Sequence, residues 1–177
     1  MESLARVWQI LDPVAPIKAI AGGLALSFWG YPRSTQDIDI AVLLRNSATL
    51  VTIDSHLRRA GLLRKHLNHV RDLGVVKVSQ WRFPVSDAFM DIDVDLLIGD
   101  SEFYQSALAR RIECQLAGTS QVMHVLTCED LMLFKALGGR MIDLADLREL
   151  RERNVASLDQ TYLSQWTAKL GISISSD

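Results

Sequence analysis

Leu4, Val7, Trp8 and Leu11 recur at helical spacing near the start of the chain, and Asp12-Pro13 closes that segment, so the pattern predicts a short amphipathic helix over 2–11. IKAIAGG follows as a brief strand ending in Gly22-Gly23, and LALSFWG as a short helix stopped by Gly30 and Pro32. In DIDIAVLL, residues 37–44, polar and apolar positions alternate and then give way to an unbroken apolar run, as in a strand that becomes buried on both faces. SATLVTIDSHLRRAG carries a helix signature, with Ser47 as its expected cap and Gly61 as its terminator. VVKVSQWRF and AFMDIDVDLLI predict two strands of an antiparallel hairpin, with Pro84, Ser86 and Asp87 in the turn. SEFYQSALARRI predicts a helix behind a Ser101 cap, TSQVMHVLT contains a short strand, and from a Thr127 cap to Leu170 the chain is expected to be mostly helical. The polar tail GISISSD is expected to fray. No repeat or low-complexity segment interrupts this order. The expected fold class is α+β: a mixed sheet flanked by helices, with a core over 1–126 and a C-terminal helical segment over 127–177 packed on it.

Two of the predicted strands alternate with carboxylates instead of neutral polar residues. In MDIDVDLLIGD, Asp91, Asp93 and Asp95 share one face, with Ile92, Val94 and Leu96 on the other. Like charges that close repel, and burial raises their pKa values further unless a cation or hydrogen-bond donor compensates them. Asp37 and Asp39 repeat the pattern upstream, about 6.6 Å apart along an extended chain, a spacing from which two carboxylates reach one hard cation. A carboxylate from a neighbouring strand would admit a second cation, as in two-metal phosphoryl-transfer sites with ions roughly 3.5–4 Å apart. The plainer reading is a solvated strand face, or pairing of Asp37 and Asp39 with Arg33 and Arg45. Gly22-Gly23, between a strand and a helix, is likewise either a tight turn or a place where a phosphate approaches the backbone.

Composition narrows the choice. The chain has 177 residues, 49% hydrophobic and 23% charged, so it can bury a sizeable core. A net charge of −2 excludes a generally basic surface, while the local cluster Arg58, Arg59, Arg64 and Lys65 permits a phosphate-bearing partner without demanding one. No apolar run is long enough to span a bilayer, and MESLARVWQIL lacks the features of a signal peptide, so a soluble, cytoplasmic protein without membrane partners is expected. Cys114 and Cys128 have no CxxC spacing and read as small buried hydrophobes, and His56, His66, His69 and His124 fall in no metal-ligand motif. Trp8, Trp29, Trp81 and Trp166 are too dispersed to form a base-stacking platform.

AIAGGLALSFWGYPRSTQDIDIAV resembles the signature of the polymerase-beta-like nucleotidyltransferase superfamily: an apolar residue, Gly-Gly, about a dozen residues, then Asp-apolar-Asp-apolar. Arg-Ser-Thr-x-Asp-Ile-Asp, the later Val-Asp-Leu-Leu and LTCEDLMLFKALGGRMIDLADLREL resemble, more narrowly, the AbiEii-type branch of abortive-infection and toxin–antitoxin systems, and the likeness covers roughly 18–150. The resemblance implies a nucleotidyltransferase-like sheet and a Mg²⁺-dependent enzyme, with two ions, that moves a nucleoside monophosphate from ATP or another NTP to an acceptor hydroxyl on tRNA or a partner protein. It makes Asp37 and Asp39 metal ligands and catalytic residues. Asp95 becomes the third carboxylate, with Asp93 in reserve and Asp91 peripheral. Gly22, Gly23, Arg33 and Lys135 become the nucleotide-binding set, and Gly23 stands where many relatives carry serine. Lys135 also reads as a snorkelling helix residue. Arg140, Asp143 and Asp146, at three-residue spacing, face the same cleft or form an intrahelical network, the latter favoured for Asp146. Lys77 is a further possible contact. The alternatives are a small-molecule transferase of the aminoglycoside type, and a non-catalytic nucleotide-binding or antitoxin module.

Overall fold

The structure, a computed structural model, describes residues 2–65, 71–72, 75–85, 90–115 and 121–174, without the side chains at 47, 48, 71 and 72. His66, His69, Ser86, Asp87 and the tail from Ser175 onward lie outside the described residues. Helix α1 (Glu2–Leu11) buries the apolar stripe expected of it, and β1 (Lys18–Ile20) leads through Ala21 into α2 (Gly22–Phe28). β2 (Ile38–Leu43), α3 (Ser47–Arg59) and the two-residue strands β3 (Leu63–Arg64) and β4 (Arg71–Asp72) follow. β5 (Lys77–Phe83) and β6 (Ile92–Gly99) form the expected antiparallel hairpin. Next come α4 (Glu102–Ala109), β7 (Ile112–Gln115), β8 (Val122–Val125), α5 (Cys128–Gly138), α6 (Met141–Asn154) and α7 (Gln160–Leu170). The fold class is α+β, as expected.

Among the described residues the sheet runs β3-β5-β6-β2-β1-β8-β7, with β4 also paired to β5. It is mixed: β2 with β6 and β1 with β8 are parallel, and the other pairs are antiparallel. Directly paired residues share a face. One face therefore carries Ile38, Ile40, Val94, Leu96, Ile98 and Trp81, and α1 and α3 cover it, with Arg58 5.8 Å over Trp81 and Arg6 5.6 Å over Phe83. The opposite face carries Asp39, Asp95, Leu97, Gln80 and Val78. Its far end is closed by α4 and α5. Tyr104 packs on Gly99, where an added Cβ would lie 2.3 Å from the ring, and Phe134 stacks 5.3 Å from Tyr104. Buried residues form one core cluster that includes Leu4 of α1 and Trp166 of α7. No described helix is long and apolar enough to cross a membrane.

Two local expectations change, and a third, the mostly helical C-terminal region, holds with added detail. The cap of α3 is Asn46, not Ser47: Asn46 is extended and its side-chain oxygen accepts the Thr49 N–H at 3.0 Å. The helix behind Ser101 stops at Ala109 instead of running to Ile112, because Ile112–Gln115 pairs antiparallel with β8, a tertiary contact that outweighs local helix propensity. The long C-terminal helical region is divided into three helices. Gly139 ends α5 in the left-handed region at φ 61°, and the Asp159 side chain caps α7.

Candidate active site

The parallel register of β2 on β6 sets Asp39 directly opposite Asp95, so carboxylates far apart in sequence share the open end of one sheet face. Asp37, exposed, precedes β2 on the same side. The three line a cleft of about 420 Å³ whose other walls are Gly22 and Gly23, Thr35, Gln80 and the cations Arg33, Lys135 and Arg140. Leu131, Phe134 and Leu137 of α5, with Val78 and Leu97 of the sheet, make its apolar half. The sequence-expected set thus lines one cavity, except for Asp93.

Neighbouring residues explain the three aspartates, Asp91 just ahead of β6 and Asp93 and Asp95 within it. Asp93 lies across from Arg82, whose Nε is 3.8 Å away, and Lys65 forms an ion pair with it. Asp91 lies 3.9 Å from the same Arg82 Nε. Asp95 lies across from Gln80, whose amide donates to both carboxylate oxygens at 3.1 and 3.2 Å, and no described cation pairs with it. Two of the charges are therefore neutralised by cations, while the third meets only a neutral donor.

The electrostatics follow. Burial, and then the Asp95 charge opposite, push the Asp39 carboxyl up to about 6, against the pull of Lys135. Burial also raises Asp95, opposed by the Gln80 amide and reinforced by Asp37. Like-charged carboxylates held in this way gain from a hard cation that sits between them. Among the described residues, no three His, Cys, Asp or Glu side chains are already gathered closely enough to form a metal cage. The donor set fits Mg²⁺ by chemistry, all oxygen and mutually repelled, and a cation would draw the carboxylates inward.

Both glycines are fixed by these side chains. Gly22 has φ 54°, and a Cβ there would lie 1.9 Å from Asp39 Oδ2. At Gly23 a Cβ would meet Thr35 Cβ at 2.8 Å and its hydroxyl at 2.9 Å, so Thr35 takes up the space of any side chain at 23.

Behind the cations, Lys135 meets Asp143 at 3.0 Å and Asp146 at 2.8 Å and is almost fully buried, so it does not snorkel to solvent. Arg140 grips Asp143 through Nε at 2.6 Å and Nη2 at 3.0 Å. Asp146 is not part of an intrahelical network: its partners are Lys135 on α5 and Arg33, 3.5 Å away on the segment ahead of β2. Lys77 pairs with Ile98 and so points to the face away from the cleft. Gln80 and Thr35 were not singled out by the sequence. The alternation of Gln80 with Val78 was the available signal for one, and Thr35 had none.

No protein-family model matches the sequence, and no curated protein does. A solved structure of a presumed nucleotidyltransferase from Thermotoga maritima is similar to this chain at TM-score 0.50 and 14% identity, over 84% of this chain and 91% of that one. A presumed nucleotidyltransferase from Helicobacter pylori gives 0.44 at 16% identity, over 96% and 83%. The JHP933 protein of Helicobacter pylori gives 0.44 at 14%, over 89% and 68%. The first of these makes the fold nucleotidyltransferase-like.

Proposed function

We propose that this protein is a Mg²⁺-dependent nucleotidyltransferase that moves a nucleoside monophosphate from an NTP to an acceptor hydroxyl and releases pyrophosphate. The observation that carries the reading is the register of Asp39 on Asp95 in a cleft whose facing wall is cationic. Asp37, Asp39 and Asp95 would hold the metal, two ions in the full site. When bound, Mg²⁺ supplies charge neutralisation at the transferring phosphate and lowers the pKa of the attacking hydroxyl. Asp95, held by a neutral amide and raised by burial, would accept the hydroxyl proton. Arg33, Lys135 and Arg140 face the charge that develops on the leaving phosphates. The AbiEii-type likeness favours tRNA or a partner protein as acceptor, in a toxin–antitoxin or abortive-infection setting and in the cytoplasm. The lack of a hydroxyl at Gly23, where a Cβ would meet Thr35 at 2.8 Å, favours a second reading, a nucleotide-binding module that does not turn over.

The test is incubation with each α-labelled NTP, Mg²⁺ and either total tRNA or cell lysate. Label transfer is expected for the wild type and for Asp91→Asn, and should be lost in Asp39→Ala and Asp95→Asn. Transfer that persists in Asp39→Ala would sink the assigned chemistry, and a Mg²⁺-NTP thermal shift with no transfer supports the binding module.

A further inference from the structure

Asp146 lies in the second turn of α6 with its side chain 0% exposed, out of reach of bulk water. A carboxylate so buried is costly unless cations face it. Two do, both from other elements: Lys135 Nζ and Arg33 Nε. Both cations also line the cleft. Neither contact is a well-directed hydrogen bond, since Arg33 Nε and both Asp146 oxygens find no such partner among the described residues. The pairing fixes where the cations stand and leaves other donors on each, two further nitrogens on the guanidinium and a third N–H on the ammonium, for the cleft. Asp143 does not duplicate this role, because it also grips Arg140 and does not pair with Arg33.

We propose that Asp146 is a positioning residue for the cleft: from behind the wall it draws Lys135 and Arg33 into the stations from which they meet the phosphates of a bound nucleotide. This rests on the nucleotide reading above. In Asp146→Asn, Lys135 keeps Asp143 alone, and Arg33 keeps no described carboxylate within ion-pair distance. The loss should fall on phosphate contacts and should grow with the number of phosphates.

The experiment is calorimetric titration of a non-hydrolysable NTP analogue and of the corresponding NMP, each with Mg²⁺, at a temperature where circular dichroism shows wild type and variant folded. Asp146→Asn is expected to weaken triphosphate binding about tenfold or more and monophosphate binding less than about twofold. Unchanged triphosphate affinity, or equal losses for both ligands, overturns the proposal. Should Asp146→Asn not fold, Asp146→Glu replaces it: the charge is kept but displaced by one methylene, so Lys135 and Arg33 are drawn to other stations. The same triphosphate-selective loss is expected, and wild-type affinity overturns the proposal. A wild type that binds neither ligand overturns the nucleotide reading first, and this proposal with it.

Discussion

Asp39 carries a consequence that can be measured without a substrate. Its carboxyl is pushed from 3.8 to about 6 on folding, so between roughly pH 4 and 6 the folded chain holds a proton that the unfolded chain has released. Stability contributed by that proton is lost as pH rises through this window. Above it the ionised group is a standing destabilisation of about 3 kcal/mol. Asp39→Asn is therefore expected to melt higher than wild type at pH 8 in EDTA, with the difference shrinking toward pH 4. Mg²⁺ should stabilise the wild type at pH 8 and leave the variant unmoved. Melting curves that place the variant below wild type at pH 8 would show that the charge is not a burden. Gly22 depends on the same carboxylate. Gly22→Ala combines a positive φ with a Cβ 1.9 Å from Asp39 Oδ2, so it is expected to lose about 1–3 kcal/mol in urea unfolding and to lose the Mg²⁺-dependent stabilisation as Asp39 is displaced.

Among the elements, α7 is tied down by polar groups outside the cleft. Tyr162 donates to the buried Asp130 at 2.6 Å, Arg110 lies 3.7 Å over the Tyr162 ring, and Glu129 accepts the Asp159 N–H at 2.9 Å at the start of the helix. Tyr162→Phe leaves Asp130 buried with one donor fewer. It should lower stability by about 1–3 kcal/mol and speed amide exchange in α7, with Mg²⁺-NTP affinity unchanged. None of this network was legible in the sequence, because its partners come from α4, α5 and α7 and share no local pattern. What was legible was local. The caps at Ser101 and Thr127 follow from one side chain and the turn after it, and the β5–β6 hairpin follows from alternation. The end of α4 was missed because β7 exists only through its pairing with β8.

Across the whole molecule the same division holds for the site. Asp37, Asp39 and the face shared by Asp91, Asp93 and Asp95 could be picked out because alternation puts carboxylates where a strand face expects neutral residues, and the choice of Asp95 came from the family resemblance. What each one meets could not, since Lys65 and Arg82 satisfy Asp93 across strand pairs and Gln80 leaves Asp95 without a cation. The link from Arg33 to Asp146 spans most of the chain and joins a loop to a helix with nothing in either segment to announce it. One continuous core carries these segments, so the charged cleft is supported by packing that does not depend on it.

The parallel pairing of β2 with β6 also bears on when the site comes into being. A parallel pair cannot close through a tight turn, so Asp39 meets Asp95 only once the chain through α3 and β5 has been made. As a ribosome releases the chain, the first carboxylate pair emerges with Arg33 but long before Lys135 and Arg140, and the repulsion between β2 and β6 arises only when they dock. The nascent chain therefore has only part of its cleft until Lys135 and Arg140 have joined it.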